Sequence, residues 1–181
     1  GHQPMCDNAG RWITYNGEVY NYPELRPELG GRFLTRCDTE VVMRAYERWG
    51  ADSLHHLRGM FAYALWDEVK QELVCARDRF GIKPFYYHRE GGRFLFASEI
   101  KALFASGEVE ARPDLEALHT PARFQVSPRT GFDGVLKLPA GHYLTLRGGS
   151  LAVTRYWQLR PREDASVSFE IGVSESMSAI T

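Results

Sequence analysis

The chain has 181 residues, 44% of them apolar and 13% aromatic, which is enough for the packed core of one ordinary domain and excludes disorder as the default reading. Lys and Arg total 22 against 23 Asp and Glu, so there is no basic field for a nucleic-acid backbone and no acidic tail. Three cysteines, Cys6, Cys37 and Cys75, are too few and too scattered for a disulfide framework, and no spacing of Cys or His suggests a metal site.

In chain order, Gly1-His2-Gln3-Pro4 lacks the charged and apolar regions of a signal peptide, and no later apolar run reaches membrane-spanning length. A cytoplasmic setting is expected, with neither nucleic acid nor membrane as a partner. Trp12-Ile13-Thr14-Tyr15 reads as a strand, and Asn16-Gly17 follows where the strand is expected to end and a loop to begin. The same pair also suits a plain hairpin turn. Asp38 and Thr39 open a helical pattern in which Val42, Tyr46 and Trp49 share a face and Gly50 supplies the stop. Asp38 is then either the helix cap or a carboxylate projecting past the helix start to hold an ammonium group. His55-His56 reads as surface histidine in a short helical stretch.

Met60 to Trp66 is apolar on both faces, as for a strand buried between layers, and turns at Asp67 to Gln71 into Glu72 to Ala76. Phe85 to His88 and Arg93 to Phe96 form a second hairpin around Gly91-Gly92. Short helices are predicted at Glu99–Phe104 and Asp114–Leu118. From Ala111 onward, Pro113, Pro121, Pro128, Pro139 and Pro161 indicate extended connecting chain. A last hairpin joins Gly141–Leu146 to Leu151–Trp157 through Gly148-Gly149, and a flexible, serine-rich tail is expected beyond Gln158.

Four blocks carry a resemblance when taken in order: Asn16-Gly17-Glu18-Val19-Tyr20-Asn21, Cys37-Asp38-Thr39-Glu40, Arg58 to Asp67, and Ala76 to Tyr87 with Phe96 to Leu103 after it. Together they resemble the glutamine amidotransferase domain of the glutamine-hydrolysing asparagine synthetase family, over Gly1 to about Trp157. The resemblance implies an α+β fold, the N-terminal-nucleophile hydrolase sandwich with two antiparallel sheets face to face, helices outside (αββα), and its first strands lacking. It implies a partial amidotransferase domain over residues 1–157, with 158–181 a linker toward an absent ATP-dependent synthetase domain. By the same resemblance, the Asn16 side chain and the Gly17 N–H stabilise the oxyanion as catalytic groups, while Asn16, Gly17, Glu18 and Asp38 bind glutamine. Each residue type suits its role: an amide donor where charge develops, a glycine that allows close approach, and carboxylates for an ammonium.

Members of this family carry a catalytic cysteine as residue one, whose own α-amine serves as base; that amine titrates near pH 7.7–8.0 in its ordinary state. Here residue one is Gly1. Cys6 is expected on an exposed loop, Cys37 near the glutamine pocket and Cys75 in the core, so the chain alone is expected to be inactive. No cofactor is expected in this chain. Mg-ATP belongs to the missing synthetase domain, which is also the expected partner beside glutamine, with a homodimer possible. Arg77-Asp78-Arg79 is read as fixing loops and a domain interface. The alternatives are a non-catalytic binding or scaffold protein on a degenerate amidotransferase fold, and an amidotransferase for another acceptor. The little-protected edge of the Trp12 strand favours the fragment.

Overall fold

A computed structural model describes residues 2–119 and 127–160. Six strands form one antiparallel sheet in the order β1 (Met5–Cys6), β2 (Arg11–Val19), β3 (Gly59–Asp67), β4 (Glu72–Arg77), β8 (His142–Arg147) and β9 (Ser150–Arg155). A second antiparallel sheet has the order β6 (Arg93–Ala97), β5 (Tyr86–Glu90) and β7 (Val135–Lys137). The helices are α1 (Tyr22–Leu29), α2 (Asp38–Trp49), α3 (Ser53–His56), α4 (Ile100–Ala105) and α5 (Leu115–His119).

Alternation along β3 builds the layers. Phe61, Tyr63 and Leu65 point to one face and join Val41, Val42, Ala45 and Tyr46 of α2 in a buried core. Ala62 and Ala64 point to the other face and meet Phe85, Tyr87 and Leu138 across the space between the sheets. Small side chains on one sheet and large ones on the other interdigitate, so both faces of β3 are dry. Leu103 of α4 covers the far side of the second sheet with Val109 and Val135. The result is the expected helix–sheet–sheet–helix sandwich.

Several elements differ from the sequence reading. β2 runs on through Asn16-Gly17 to Val19, so this pair lies inside a strand rather than at its end. Cys6 is exposed as expected, but within β1 rather than in a loop. The chain from Ala111 holds β7 besides α5, because Tyr86, Tyr87 and His88 of β5 supply a pairing edge that local sequence does not reveal. α1 forms despite two prolines: Pro23 lies in the first turn, where an N–H has no helical partner to lose, and Pro27 removes one bond. The tail expected beyond Gln158 lies, from residue 161 on, outside the described residues.

The Arg77-Asp78-Arg79 block anchors the β4–β5 connection. Arg77 is buried and donates to the carbonyls of Gly81, Lys83 and Leu138 at 2.6, 2.6 and 2.8 Å. The Asp78 carboxylate accepts the N–H groups of Phe80, Ile82 and Lys83. Arg79 donates to the carbonyls of Leu54, His55 and Leu57, where α3 ends and its carbonyls lack helical partners. Each charge therefore satisfies backbone groups of a loop or of the end of α3, which is the loop-fixing part of what the sequence reading expected.

Candidate functional site

The register of β2 on β3 determines which backbone groups face the open edge. Gly17 lies opposite Phe61, and Phe61 turns its own N–H and C=O toward Asp78 on the β4 side. The pair is therefore of the non-hydrogen-bonded kind, and the Gly17 N–H and C=O point away from β3. Its neighbours in the outward row confirm this parity. The Tyr15 N–H donates to Gln3 Oε1 at 2.7 Å, and the Val19 N–H donates to Asp38 Oδ2 at 2.9 Å. Between them, the Gly17 N–H has no partner among the described residues. It sits roughly 7 Å along the strand from either neighbour.

Only glycine fits at this position. A Cβ on Gly17 would lie 2.2 Å from the Met60 carbonyl oxygen and 2.6 Å from Phe61 Cα. Gly59, which pairs with Val19, is under the same constraint, since a Cβ there would lie 2.1 Å from the Glu18 oxygen. The strands approach so closely that a side chain at either point would push β2 off β3.

Side chains alternate about this edge. Ile13, Tyr15 and Val19 face α2, whereas Thr14, Asn16 and Glu18 face the second sheet. The Asn16 Nδ2 donates to Ser98 Oγ, just past β6, at 3.3 Å. Asn16 and Ser98 line a cleft of about 300 Å³ between the sheets with Thr14, Ala62, Phe85 and Phe96. Glu18 is exposed on the Asn16 side and forms no ion pair among the described residues.

Asp38 comes from the opposite layer. It is the first residue of α2, the N-cap position belongs to Cys37, and the helix start has no side-chain cap bond. Of the two roles open in the sequence, the cap is thus not the one adopted. Asp38 Oδ2 instead accepts from the Val19 N–H and, at 2.6 Å, from the Tyr15 hydroxyl. Oδ1 accepts no hydrogen bond among the described residues. Burial, the bond to Asp38 and the charges of Asp38 and Glu18 push the Tyr15 phenol far above its usual range, so it stays a donor at every working pH.

The loop that aims Asp38 is fastened by Glu40. This buried carboxylate accepts the Leu34 N–H, the Thr35 N–H and the Thr35 hydroxyl at 2.7, 2.6 and 2.6 Å. Arg26 adds donations to the carbonyls of Thr35 and Cys37. Two of the predicted residues, Asn16 and Gly17, are adjacent on the edge. Asp38 reaches the same edge, and Glu18 stands on the Asn16 face. The sequence reading missed Gln3, Tyr15, Glu40 and Ser98. Tyr15 looked like one apolar member of a strand, and the partners of Gln3 and Ser98 lie 12 and 82 residues away.

None of the cysteines lines the cleft. Cys6 is exposed on β1, Cys37 leads into α2 with its Sγ 3.0 Å from Thr35 Oγ1, and Cys75 is fully buried with its thiol pushed up by burial. Among the described residues no group of His, Cys, Asp and Glu could hold a metal ion, and no helix is long and apolar enough to cross a membrane.

Comparison with known proteins gives a consistent picture. The family model of the glutamine amidotransferase domain matches residues 1–157. Asparagine synthetase [glutamine-hydrolyzing] 3 of Bacillus subtilis is 43% identical over 171 residues, covering 88% of this chain and 27% of that protein. A putative glutamine-hydrolyzing asparagine synthetase of Mycobacterium bovis is 40% identical over 177 residues, covering 86% and 26%. The chain thus spans about a quarter of the length of these relatives. Among solved structures, glutamine phosphoribosylpyrophosphate amidotransferase from B. subtilis, complexed with ADP and GMP, matches with a TM-score of 0.64 at 22% identity, covering 87% of this chain and 32% of that one. That likeness is one of fold.

Glu40 makes the site's stability pH-dependent. Burial alone would raise its pKa, but the Thr35 hydroxyl, the N–H groups of Leu34 and Thr35 and the charge of Arg26 outweigh it and hold the carboxyl below its ordinary 4.5. A depressed native pKa means that the stabilisation is complete above the unfolded value and is lost as pH falls through the folded one. Glu40→Gln should cost about 2 kcal/mol near neutral pH by urea denaturation. The gap from the parent chain should narrow as pH falls to about 3; a gap that stays constant over this range contradicts the assignment.

Proposed function

The chain belongs to the family of glutamine amidotransferase domains, and from that premise we propose that its β2 edge binds glutamine and stabilises the oxyanion formed as the side-chain amide is cleaved. The observation that carries this reading is the Gly17 N–H, unpaired among the described residues, beside the Asn16 amide and one strand repeat from the pinned Asp38 carboxylate. The glutamine side-chain carbonyl oxygen accepts from Gly17 N–H and Asn16 Nδ2. Its α-ammonium pairs with Asp38 Oδ1, and Glu18 adds a second negative charge on the Asn16 side.

A thiolate attacking the amide carbon then places negative charge on that oxygen, and in this reading the Gly17 N–H and the Asn16 Nδ2 hydrogen not given to Ser98 stabilise it. Collapse of the tetrahedral intermediate breaks the C–N bond, a proton passes to the leaving nitrogen, and ammonia departs. Water later hydrolyses the thioester to glutamate. The nucleophile in this reading is the N-terminal cysteine implied by the resemblance, with its α-amine as base. Ammonia is used, in the complete protein, for the ATP-dependent amidation of aspartate to asparagine. Mg-ATP and the synthetase portion belong to that step.

In the complete gene product, Asn16→Ala should lower kcat for glutamine hydrolysis by about 10²–10³ while KM changes little, because the lost donor acts on charge that develops only in the transition state. A fall confined to KM would contradict the oxyanion role. The purified 181-residue chain, with no cysteine lining the cleft, should release no ammonia from glutamine above the uncatalysed background. Measurable release, abolished by substituting one of its three cysteines, would overturn that expectation.

A further inference from the structure

The geometry points to Tyr15 as a positioning residue for substrate binding: its hydroxyl fixes the Asp38 carboxylate so that Oδ1 is presented to the α-ammonium group of glutamine. The inference deepens the reading above and rests on it. Asp38 Oδ2 is fully engaged, by the Tyr15 hydroxyl at 2.6 Å and the Val19 N–H at 2.9 Å. Two donors on one oxygen hold the carboxylate plane and leave Oδ1 as the acceptor with capacity to spare. The Val19 bond alone leaves the carboxylate free to turn about its C–C bond. The second donor, coming from another direction, removes that freedom.

Tyr15 is itself well placed to be rigid. It lies in β2 with its ring half-buried against the core beneath α2, and its N–H is tied to Gln3. The phenol keeps its proton, for the reasons given above, so the bond persists wherever the carboxylate is ionised. The arrangement spans two layers: a strand residue sets the angle of a helix-borne carboxylate. The Gly17 N–H, unpaired among the described residues, lies between the two backbone positions that hold Gln3 and Asp38. A substrate that reaches both Gly17 and Oδ1 is therefore measured along the strand, and a fixed carboxylate defines one end of that span.

The test uses the complete gene product with two substrates, glutamine and its des-amino analogue glutaramate. Tyr15→Phe should raise KM for glutamine about tenfold, with the loss appearing in KM rather than kcat. The gap between variant and parent should shrink below twofold with glutaramate, which has no ammonium for Oδ1 to meet. Turnover of glutaramate also reports whether the variant is folded. Equal losses on both substrates, or no loss on glutamine, overturn the positioning role. Asp38→Asn separates the two claims. If it leaves KM for glutamine unchanged, the ammonium site itself is wrong. If it raises KM and Tyr15→Phe does not, Asp38 acts without Tyr15.

Discussion

The site depends on the register of one strand pair. Gly17 opposite Phe61 is a non-hydrogen-bonded pair, so its N–H is directed out of the sheet. A slip of one residue would turn that group toward β3 and move every side chain of β2 to the opposite face. The register is held from both sides. Asp78 engages the Phe61 backbone from the β4 side, and the glycines at 17 and 59 let the strands close where any Cβ would collide. Burial of Ile13 and Val19 beneath α2 makes the slipped alternative costly, because these apolar side chains of β2 would exchange faces with Thr14, Asn16 and Glu18.

From this edge, three layers contribute without sharing a local segment. The strand supplies a backbone donor and the Asn16 amide. The second sheet supplies Ser98 to that amide, and the helical layer supplies Asp38. An open sheet edge is ordinarily a liability, and here it is dressed by an amide and a carboxylate side chain and by a short strand. Gln3 takes the Tyr15 N–H, Asp38 takes the Val19 N–H, and β1 covers Trp12 and Ile13. Among the described residues the Gly17 N–H on this edge is left without a partner.

Much of this was legible in the sequence, and the limits have physical causes. The buried strand at Met60 to Trp66 and both later hairpins announce themselves by period and by turn glycines. The order of the four blocks indicated the amidotransferase family and, through it, Asn16, Gly17, Glu18 and Asp38. Strand parity was not legible, since which N–H faces outward is decided by a partner some forty residues away. Nor was Tyr15, whose ring obeys the apolar alternation while its hydroxyl serves Asp38. β1 and β7, of two and three residues, are too short for periodicity, and α1 was obscured by Pro23 and Pro27.

The most direct test of the central claim is residue-resolved amide hydrogen exchange on the complete gene product, with and without glutamine. The Gly17 N–H should exchange rapidly in the free protein while the N–H groups of Asn16 and Glu18, which face β3, are protected; glutamine should then protect Gly17. A Gly17 amide already protected without substrate, or one that glutamine leaves exchanging freely, would contradict the account.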